Sequence, residues 1–137
     1  MHPEYFQTRF VANKPIEDWP KEFAILSAYS TTGVVWSATQ NENADQKLQA
    51  ELASANVWMR RITGFSPTTG HRELSWVIEI PFDVACDYGF RFKQDAIYYV
   101  IQDILWVSYC DQRRQMAPVG NFRERVVLRR EIGKSRE

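Results

Sequence analysis

Glu73 and Ser75 have the clearest spacing for chemistry, because they lie two positions apart in a segment that alternates between polar and apolar residues. In a strand this alternation places both side chains on one face, about 7 Å apart. A carboxylate and a hydroxyl at that separation can bind one ligand together. The alternative interpretation is that both residues face water on the open side of an antiparallel sheet.

Two amide residues lie where predicted helices begin or end. Asn41 begins the first helix, and Gln94 follows the second. An amide at a helix end can bind a ligand, but the same residue type also caps a helix or satisfies its last carbonyls. Together with the strand residues, the amides define a candidate ligand pocket: Asn41, Glu73, Ser75 and Gln94.

Four arginines define a candidate basic rim for this pocket. Trp58 and Phe122 are aromatic neighbours of these arginines in the sequence. Rings and cations together suit single-stranded nucleic acid, although the chain has no RNA-binding signature motif. The rim consists of Arg60, Arg61, Arg123 and Arg125.

The motifs of several common enzyme classes are missing from the sequence. It has no GxGxxG, P-loop, HExxH, GxSxG or paired CxxC pattern. Of the two histidines, His2 is near the start, and we interpret His71 as a solvated turn residue rather than a general base. We therefore assign no catalytic residue and expect no cofactor and no bound metal.

Length and composition indicate one globular domain. A chain of 137 residues buries enough surface to fold without a disulfide or a metal, and 14% aromatic residues predict a core built around large rings. Cys86 and Cys110 lack metal-site spacing, so we expect free thiols in a reducing compartment. The chain has no basic leader and no long apolar run, so we expect a cytoplasmic protein without a membrane span.

Charge is distributed unevenly, although the net charge is zero. Residues 1–112 hold 9 Lys and Arg against 14 Asp and Glu, and residues 113–137 hold 8 against 3. We divide the chain into an irregular lead-in (1–22), an α+β domain (23–112) and a basic C-terminal segment (113–137) partly packed on the domain. The alternative is a basic arm that contacts nucleic acid or another anionic partner.

Apolar periodicity and turn residues predict seven elements between residues 23 and 109. Thr39 and Glu42 have capping-box spacing at the start of the first helix. The turn compositions of Ser66–Gly70 and Gln102-Asp103 predict two hairpins. The predicted elements are a strand at 23–29, a helix at 41–55, strands at 57–65 and 72–80, a helix that begins at 82 and ends at 93–94, and strands at 96–101 and 104–109.

This β-α-β-β-α-β-β order favours an α+β fold, a two-layer sandwich in which both helices cover one face of a mainly antiparallel sheet. The strand at 72–80 alternates in polarity. Its apolar side, from Leu74 to Ile80, is predicted to lie under the helices. Its opposite side, which includes Glu73 and Ser75, is predicted to be polar.

Several segments of the sequence resemble the pattern of a bacterial family, the domain of unknown function 3293. That pattern has an apolar strand ending in Ala-aromatic, Asn followed by Leu at helical spacing, Glu-Pro-Ser-aromatic, and Gln before an apolar strand. The similar positions here are Ala28-Tyr29, Asn41 with Leu48 and Leu52, Glu73-Leu74-Ser75-Trp76, and Gln94 with Ala96-Ile97. The chain departs from the pattern at Ala44 and Asp45, where Arg and Asn are expected, and at Leu74, which replaces proline. The resemblance implies an architecture and a set of polar residues, and it carries no activity.

Three functions remain open at this point. The first is a small cytoplasmic binding or regulatory domain, possessing a polar pocket for a small molecule or a protein. The second is a hydrolase or transferase that uses Glu73. The third is an interaction or nucleic-acid-binding protein that uses the basic C-terminal segment. A homodimer is among the partner hypotheses that we consider.

Overall fold

The structure is a computed structural model that describes residues 1–29 and 36–129. The described part contains one sheet, two α-helices and two short 3₁₀ helices at Pro3–Phe6 and Arg123–Arg125. The α-helices are α1 (Ala38–Ala53) and α2 (Phe82–Arg91). The strands are β1 (Arg9–Ala12), β2 (Glu22–Leu26), β3 (Met59–Phe65), β4 (Arg72–Ile78), β5 (Ala96–Ile101), β6 (Ile104–Tyr109), β7 (Ala117–Asn121) and β8 (Val126–Leu128).

The eight strands form one curled sheet in the order β7-β6-β5-β2-β4-β3-β1-β8. Neighbouring strands are antiparallel except for β1 and β8, which are parallel. The edge strands β7 and β8 are joined by residues 122–125 alone, so the sheet must curl until its edges approach each other. Arg125 connects the two sides by donating to the carbonyl oxygens of Val119 at 3.2 Å and Thr8 at 3.1 Å.

The α+β class and the mainly antiparallel sheet are therefore confirmed. The elements β2-α1-β3-β4-α2-β5-β6 lie within a longer chain of elements that also contains β1, β7 and β8, so the two-layer sandwich and the exact β-α-β-β-α-β-β order stay predictions. The added strands come from the lead-in and the C-terminal segment, and they belong to the same sheet. The division of the chain at residues 22 and 112 stays a prediction.

Residues of both helices pack into one core on the convex face of the sheet. Leu48 and Leu52 of α1 are buried there together with Ala85 and Cys86 of α2 and with Ile78 of β4. The leucines are four residues apart, the spacing that forms one face of a helix. This core fixes α2 against the sheet and thereby sets the position of the segment that leads from α2 into β5.

The concave face carries a second apolar core, so the prediction that this side of β4 is polar is wrong. Val77 is fully buried there and belongs to one cluster with Phe23 and Phe122. The prediction failed because it assumed an open sheet, whereas the curl closes distant strands over this face. The predicted position of Leu74 under the helices is also wrong: it is 40% exposed, because the convex core covers β4 only from Trp76 onward.

Helix α1 begins earlier than predicted. The Ser37 hydroxyl accepts from the Gln40 backbone N–H at 3.1 Å, and the Gln40 side chain accepts from the Ser37 backbone N–H at 2.8 Å. The capping box therefore uses these residues, and the one predicted at Thr39 and Glu42 is wrong. Both pairs have the required spacing, but the earlier pair adds residues to the hydrogen-bonded helix.

Asp45, one of the departures from the family pattern, connects α1 to β3. Its carboxylate accepts from both terminal nitrogens of Arg61, with a distance of 3.0 Å between Oδ1 and Nη1. The Arg61 guanidinium also lies 4.0 Å from the centre of the Trp76 ring. This contact accounts structurally for an acid at position 45, on a helix face that is otherwise apolar.

Both predicted hairpins are confirmed. In the β3–β4 turn, the Gly70 backbone N–H donates to the Ser66 carbonyl at 2.8 Å, and Gly70 has a φ of 77°. In the β5–β6 turn, Gln102 and Asp103 have φ values of 47° and 70°. Consecutive residues in this left-handed region form the tight turn whose twist matches that of paired strands.

Arginines of the C-terminal segment contact the acidic body of the protein. Arg114 pairs with Asp87 of α2 at 2.7 Å, and Arg123 lies 3.7 Å from Asp103. The segment also provides β7 and β8. Residues 130–137, which complete the predicted basic segment, lie outside the described residues.

Candidate ligand-binding site

A cavity of about 450 Å³ opens at one end of the concave face. It lies where β2 and β3 end and where β1, β4 and β5 begin, so it continues the concave core toward solvent. Phe10, Ile25 and Tyr98 give it apolar and aromatic walls. Three of the four predicted pocket residues line it, namely Glu73, Ser75 and Gln94.

Glu73 is the central polar residue of this cavity. Its Oε1 accepts from the Ser27 hydroxyl at 3.0 Å, and its Oε2 lies 2.8 Å from His71 Nε2. Each carboxylate oxygen can accept more than one hydrogen bond. Glu73 therefore retains acceptor capacity toward the cavity while its position is fixed from two sides.

Ser75 lies deeper in the same wall. It is 5% exposed, and its hydroxyl donates to the Glu73 backbone carbonyl at 3.3 Å. The hydroxyl oxygen can still accept, since a hydroxyl has one hydrogen to donate and two lone pairs. Across the sheet, Gly64 pairs with Glu73 and adds no side chain to this region.

Gln94 is fixed by the segment between α2 and β5. Its side-chain nitrogen donates to the carbonyls of Tyr29 at 2.7 Å and Phe92 at 3.1 Å. Its backbone N–H donates to the Gly89 carbonyl of α2 at 2.8 Å. Because both amide hydrogens are engaged, the side-chain oxygen is the atom that can accept from a ligand.

The N-terminal 3₁₀ helix forms the outer wall of the cavity. Tyr98 anchors it, since the phenol oxygen lies 2.7 Å from both the Tyr5 carbonyl oxygen and Thr8 Oγ1. Burial raises the pKa of Tyr98 above its ordinary value, although the hydrogen bond with Thr8 opposes this change. Glu4, from the same helix, accepts from the Ser66 hydroxyl at 3.2 Å and also lines the cavity.

Asn41, the fourth predicted pocket residue, is not among the described residues that line the cavity. It lies in α1, where its backbone N–H donates to the Ser37 carbonyl at 3.1 Å. The convex face holds α1, whereas the cavity opens on the concave face. The sequence could not separate these two faces, because helix-end position alone does not specify a side of the sheet.

The four predicted rim arginines do not line this cavity either. Arg60 lies over an indole ring at 4.8 Å, and Arg61 is paired with α1 on the convex face. Arg125 donates to three backbone carbonyls. Arg123 lines a second cavity, of about 470 Å³, whose walls include Trp19, the Phe23 ring and other residues remote from Glu73.

Sequence reasoning missed Ser27, although a signal was present. It interrupts the apolar run at 23–29, and alternation from Phe23 and Ile25 places it on their face. The contributions of Glu4 and Tyr98 had no such signal, because they depend on the N-terminal 3₁₀ helix folding over strands that are distant in sequence.

The geometry is suited to hydrogen bonding and charge recognition. Among the described residues, no group of three or more His, Cys, Asp or Glu side chains is placed to hold a metal ion. Cys86 and Cys110 are buried in the convex core, away from the cavity, and burial raises their thiol pKa values to about 11 and about 12. Thiols with such pKa values are poor nucleophiles near neutral pH.

Comparison with known proteins gives one match. The family model described as "Protein of unknown function (DUF3293)" matches residues 26–97, which is more than half of the 137 residues and includes Glu73, Ser75 and Gln94. No curated protein and no solved structure matches the chain. None of the helices in the described residues is long and apolar enough to cross a membrane. The extent of the family match shows that the chain belongs to the DUF3293 family of proteins of unknown function.

Proposed function

We propose that the protein is a small-molecule-binding domain whose ligand occupies the cavity at the end of the concave face. The supporting observation is that Ser27, Glu73, Ser75 and Gln94, from three separate segments of the chain, converge on one space of about 450 Å³. Ligand pockets commonly have volumes of roughly 300–1,000 Å³ and combine apolar walls with a few oriented polar groups.

The order of the polar contacts favours binding over nucleophilic catalysis. Glu73 lies between Ser27 and His71 and contacts both side chains. In serine hydrolases, the imidazole itself contacts the hydroxyl and takes its proton. No hydrogen bond joins Ser27 to His71 among the described residues, so the hydrolase or transferase hypothesis has less support.

The nucleic-acid hypothesis also has less support. Arg114 and Arg123 of the C-terminal segment contact carboxylates, and Arg125 is held by backbone carbonyls. Phosphate binding would require these guanidinium groups to exchange their present partners for a charged backbone. A location in the cytoplasm remains our prediction.

Fragment screening by NMR on the ¹⁵N-labelled protein tests the proposal. We expect a subset of small polar fragments to shift the backbone amide signals of Ser75, Gln94 and Tyr98. The Glu73→Gln variant keeps the side-chain shape but removes the charge, so it should weaken charge-assisted binding by at least about tenfold, or about 1.4 kcal/mol. Glu79→Gln is the matched control, because Glu79 is exposed and does not line the cavity.

Gly64→Val tests the volume of the cavity separately from its charge. A Cβ at Gly64 would lie 3.6 Å from Phe10 Cε1, an ordinary contact, so the backbone tolerates the side chain. The added methyl groups occupy cavity space and should abolish binding, while circular dichroism verifies the fold. If no fragment shifts these signals, or if binding survives unchanged in both Glu73→Gln and Gly64→Val, the proposed site is wrong.

A further inference from the structure

The carboxylates around the cavity differ from many acids elsewhere in the protein in having no arginine partner. Elsewhere, Arg pairs with carboxylates on several elements, as in the ion pairs of Arg61, Arg91 and Arg114. At the cavity, Glu4, Glu73 and Asp95 form no ion pair with Lys or Arg within the described part of the chain. The cavity therefore carries carboxylates without a direct Lys or Arg partner, although His71 contacts Glu73 and Arg113 acts on Asp95 without a direct ion pair.

No lysine or arginine is among the described residues that line the cavity. Among the described residues that line the cavity, the basic groups are His2 and His71, and His71 is the one that contacts Glu73. A concave site with walls of low dielectric concentrates the field of such charges and attracts ions of the opposite sign. An anionic ligand would meet this field without a guanidinium or ammonium group to bind it.

The neutral polar groups point to the same ligand charge. Ser27 donates its hydroxyl hydrogen to Glu73, and Gln94 donates both side-chain amide hydrogens to backbone carbonyls. The Gln94 oxygen remains as an acceptor, and Ser27 Oγ, which accepts from the Tyr29 backbone N–H at 3.2 Å, keeps a second lone pair, so this wall of the cavity offers acceptors rather than donors. A ligand group rich in N–H donors complements it.

We infer that the ligand is an amphipathic organic cation, with an ammonium or amidinium group at Glu73 and an aromatic or aliphatic body against Phe10, Ile25 and Tyr98. The inference rests on the proposed function and adds the chemical class of the ligand. The aromatic rings contribute in two ways, because they bury the apolar body and their faces attract cations.

Three probes that share a 2-phenylethyl group and differ in the polar group attached to it separate charge from shape: phenethylamine, 2-phenylethanol and 3-phenylpropionate. Titration of the ¹⁵N-labelled protein with each gives a dissociation constant and the residues affected. We expect phenethylamine to bind at least about tenfold more tightly than 2-phenylethanol, with 3-phenylpropionate weakest, because a charge-assisted hydrogen bond is roughly twice as strong as a neutral one.

Variants assign the preference to individual carboxylates. Glu73→Gln should bring the affinity for phenethylamine close to that for 2-phenylethanol, Glu4→Gln should reduce the preference by a smaller factor, and Glu79→Gln should leave it unchanged. A preference that survives in both cavity variants would overturn the inference.

The probes also distinguish this inference from the proposed function. If 2-phenylethanol or 3-phenylpropionate binds at Ser75 and Gln94 as tightly as phenethylamine, the cation inference fails and the binding function stands. If phenethylamine does not bind, the inference fails, and a fragment screen without any bound fragment then refutes the proposed function as well.

Discussion

Replacement of Gly89 by alanine should destabilise the protein, although the same change inside an ordinary helix is stabilising. Gly89 is buried in α2, and its neighbours are side chains of Ile97 in β5 and of Cys110, which follows β6. A Cβ there would lie 2.5 Å from Cys110 Sγ and 2.7 Å from Ile97 Cγ2. Both neighbours are buried, so neither side chain can swing into solvent.

Two opposing effects decide the magnitude. Alanine gains about 1 kcal/mol over glycine from helix propensity. Overpacking of a filled core costs about 1–3 kcal/mol, and two contacts below 3 Å place this site in the upper part of that range. We therefore expect a net loss of about 1–2 kcal/mol in the free energy of unfolding.

Urea unfolding followed by tryptophan fluorescence measures this loss, and a double-mutant cycle identifies its cause. Cys110→Ala removes the nearer of the two atoms that a Cβ at Gly89 would contact. In that background Gly89→Ala should cost at least about 1 kcal/mol less than in the wild type, because contacting residues are energetically coupled. A Gly89→Ala protein more stable than wild type, or a cost independent of Cys110, would refute the packing argument. The Gln94 amide signal provides a second readout, because its backbone N–H donates to Gly89.

Two further predictions concern groups whose pKa values are shifted by burial. Tyr98→Phe removes the phenol contacts and should cost about 1–2 kcal/mol near pH 7. Burial raises the folded-state pKa of Tyr98, so the stabilisation by its phenol is fully present below the unfolded pKa of about 10 and declines above it. The unfolding free energies of wild type and Tyr98→Phe should therefore converge as the pH rises beyond 10. A difference that stays constant with pH would contradict this prediction. Burial raises the thiol pKa values of Cys86 and Cys110 to about 11 and about 12. Both thiols should therefore react with a thiol reagent at pH 8 far more slowly in the native protein than in urea. Equal rates in both conditions would show that the thiols are accessible in the native protein.

Local patterns predicted the elements well because their causes are local. The Ser66–Gly70 and Gln102-Asp103 turns use residues that tolerate the required backbone conformations, and apolar spacing marks both helices. The capping box was placed two residues late, because the Ser37 and Thr39 pairs carry the same local signal. Local signals therefore predict the start of a helix to within one turn. They do not show which of two possible capping residues is used.

The closure of the concave face could not be predicted from local patterns. It depends on contacts between the two ends of the chain, such as the hydrogen bond from Arg125 to the carbonyl of Phe6 at 3.0 Å. Alternation correctly placed Glu73 and Ser75 on one face but could not show that the face is enclosed. The outer wall of the site, and hence the contribution of Glu4, was out of reach for the same reason.

The cavity exists because three neighbouring strands change from large to small residues at the same end of the concave face. In each pair, the first residue belongs to the concave core and the second lines the cavity, which Ile25 also borders. The pairs are Ile25 and Ser27 from β2 onward, Ile62 and Gly64 in β3, and Val77 and Ser75 in β4.

Stability alone would favour large apolar residues at all three positions, because buried apolar surface stabilises by roughly 25 cal/mol per Å². A side chain that fills the cavity should therefore raise the melting temperature and abolish binding together. Gly64→Val is the sharpest case, since its Cβ meets only ordinary contacts. If Gly64→Val lowers the melting temperature and retains binding, the space is a packing requirement of the fold. The expected result, a higher melting temperature together with lost binding, would indicate that the small residues are needed for the ligand.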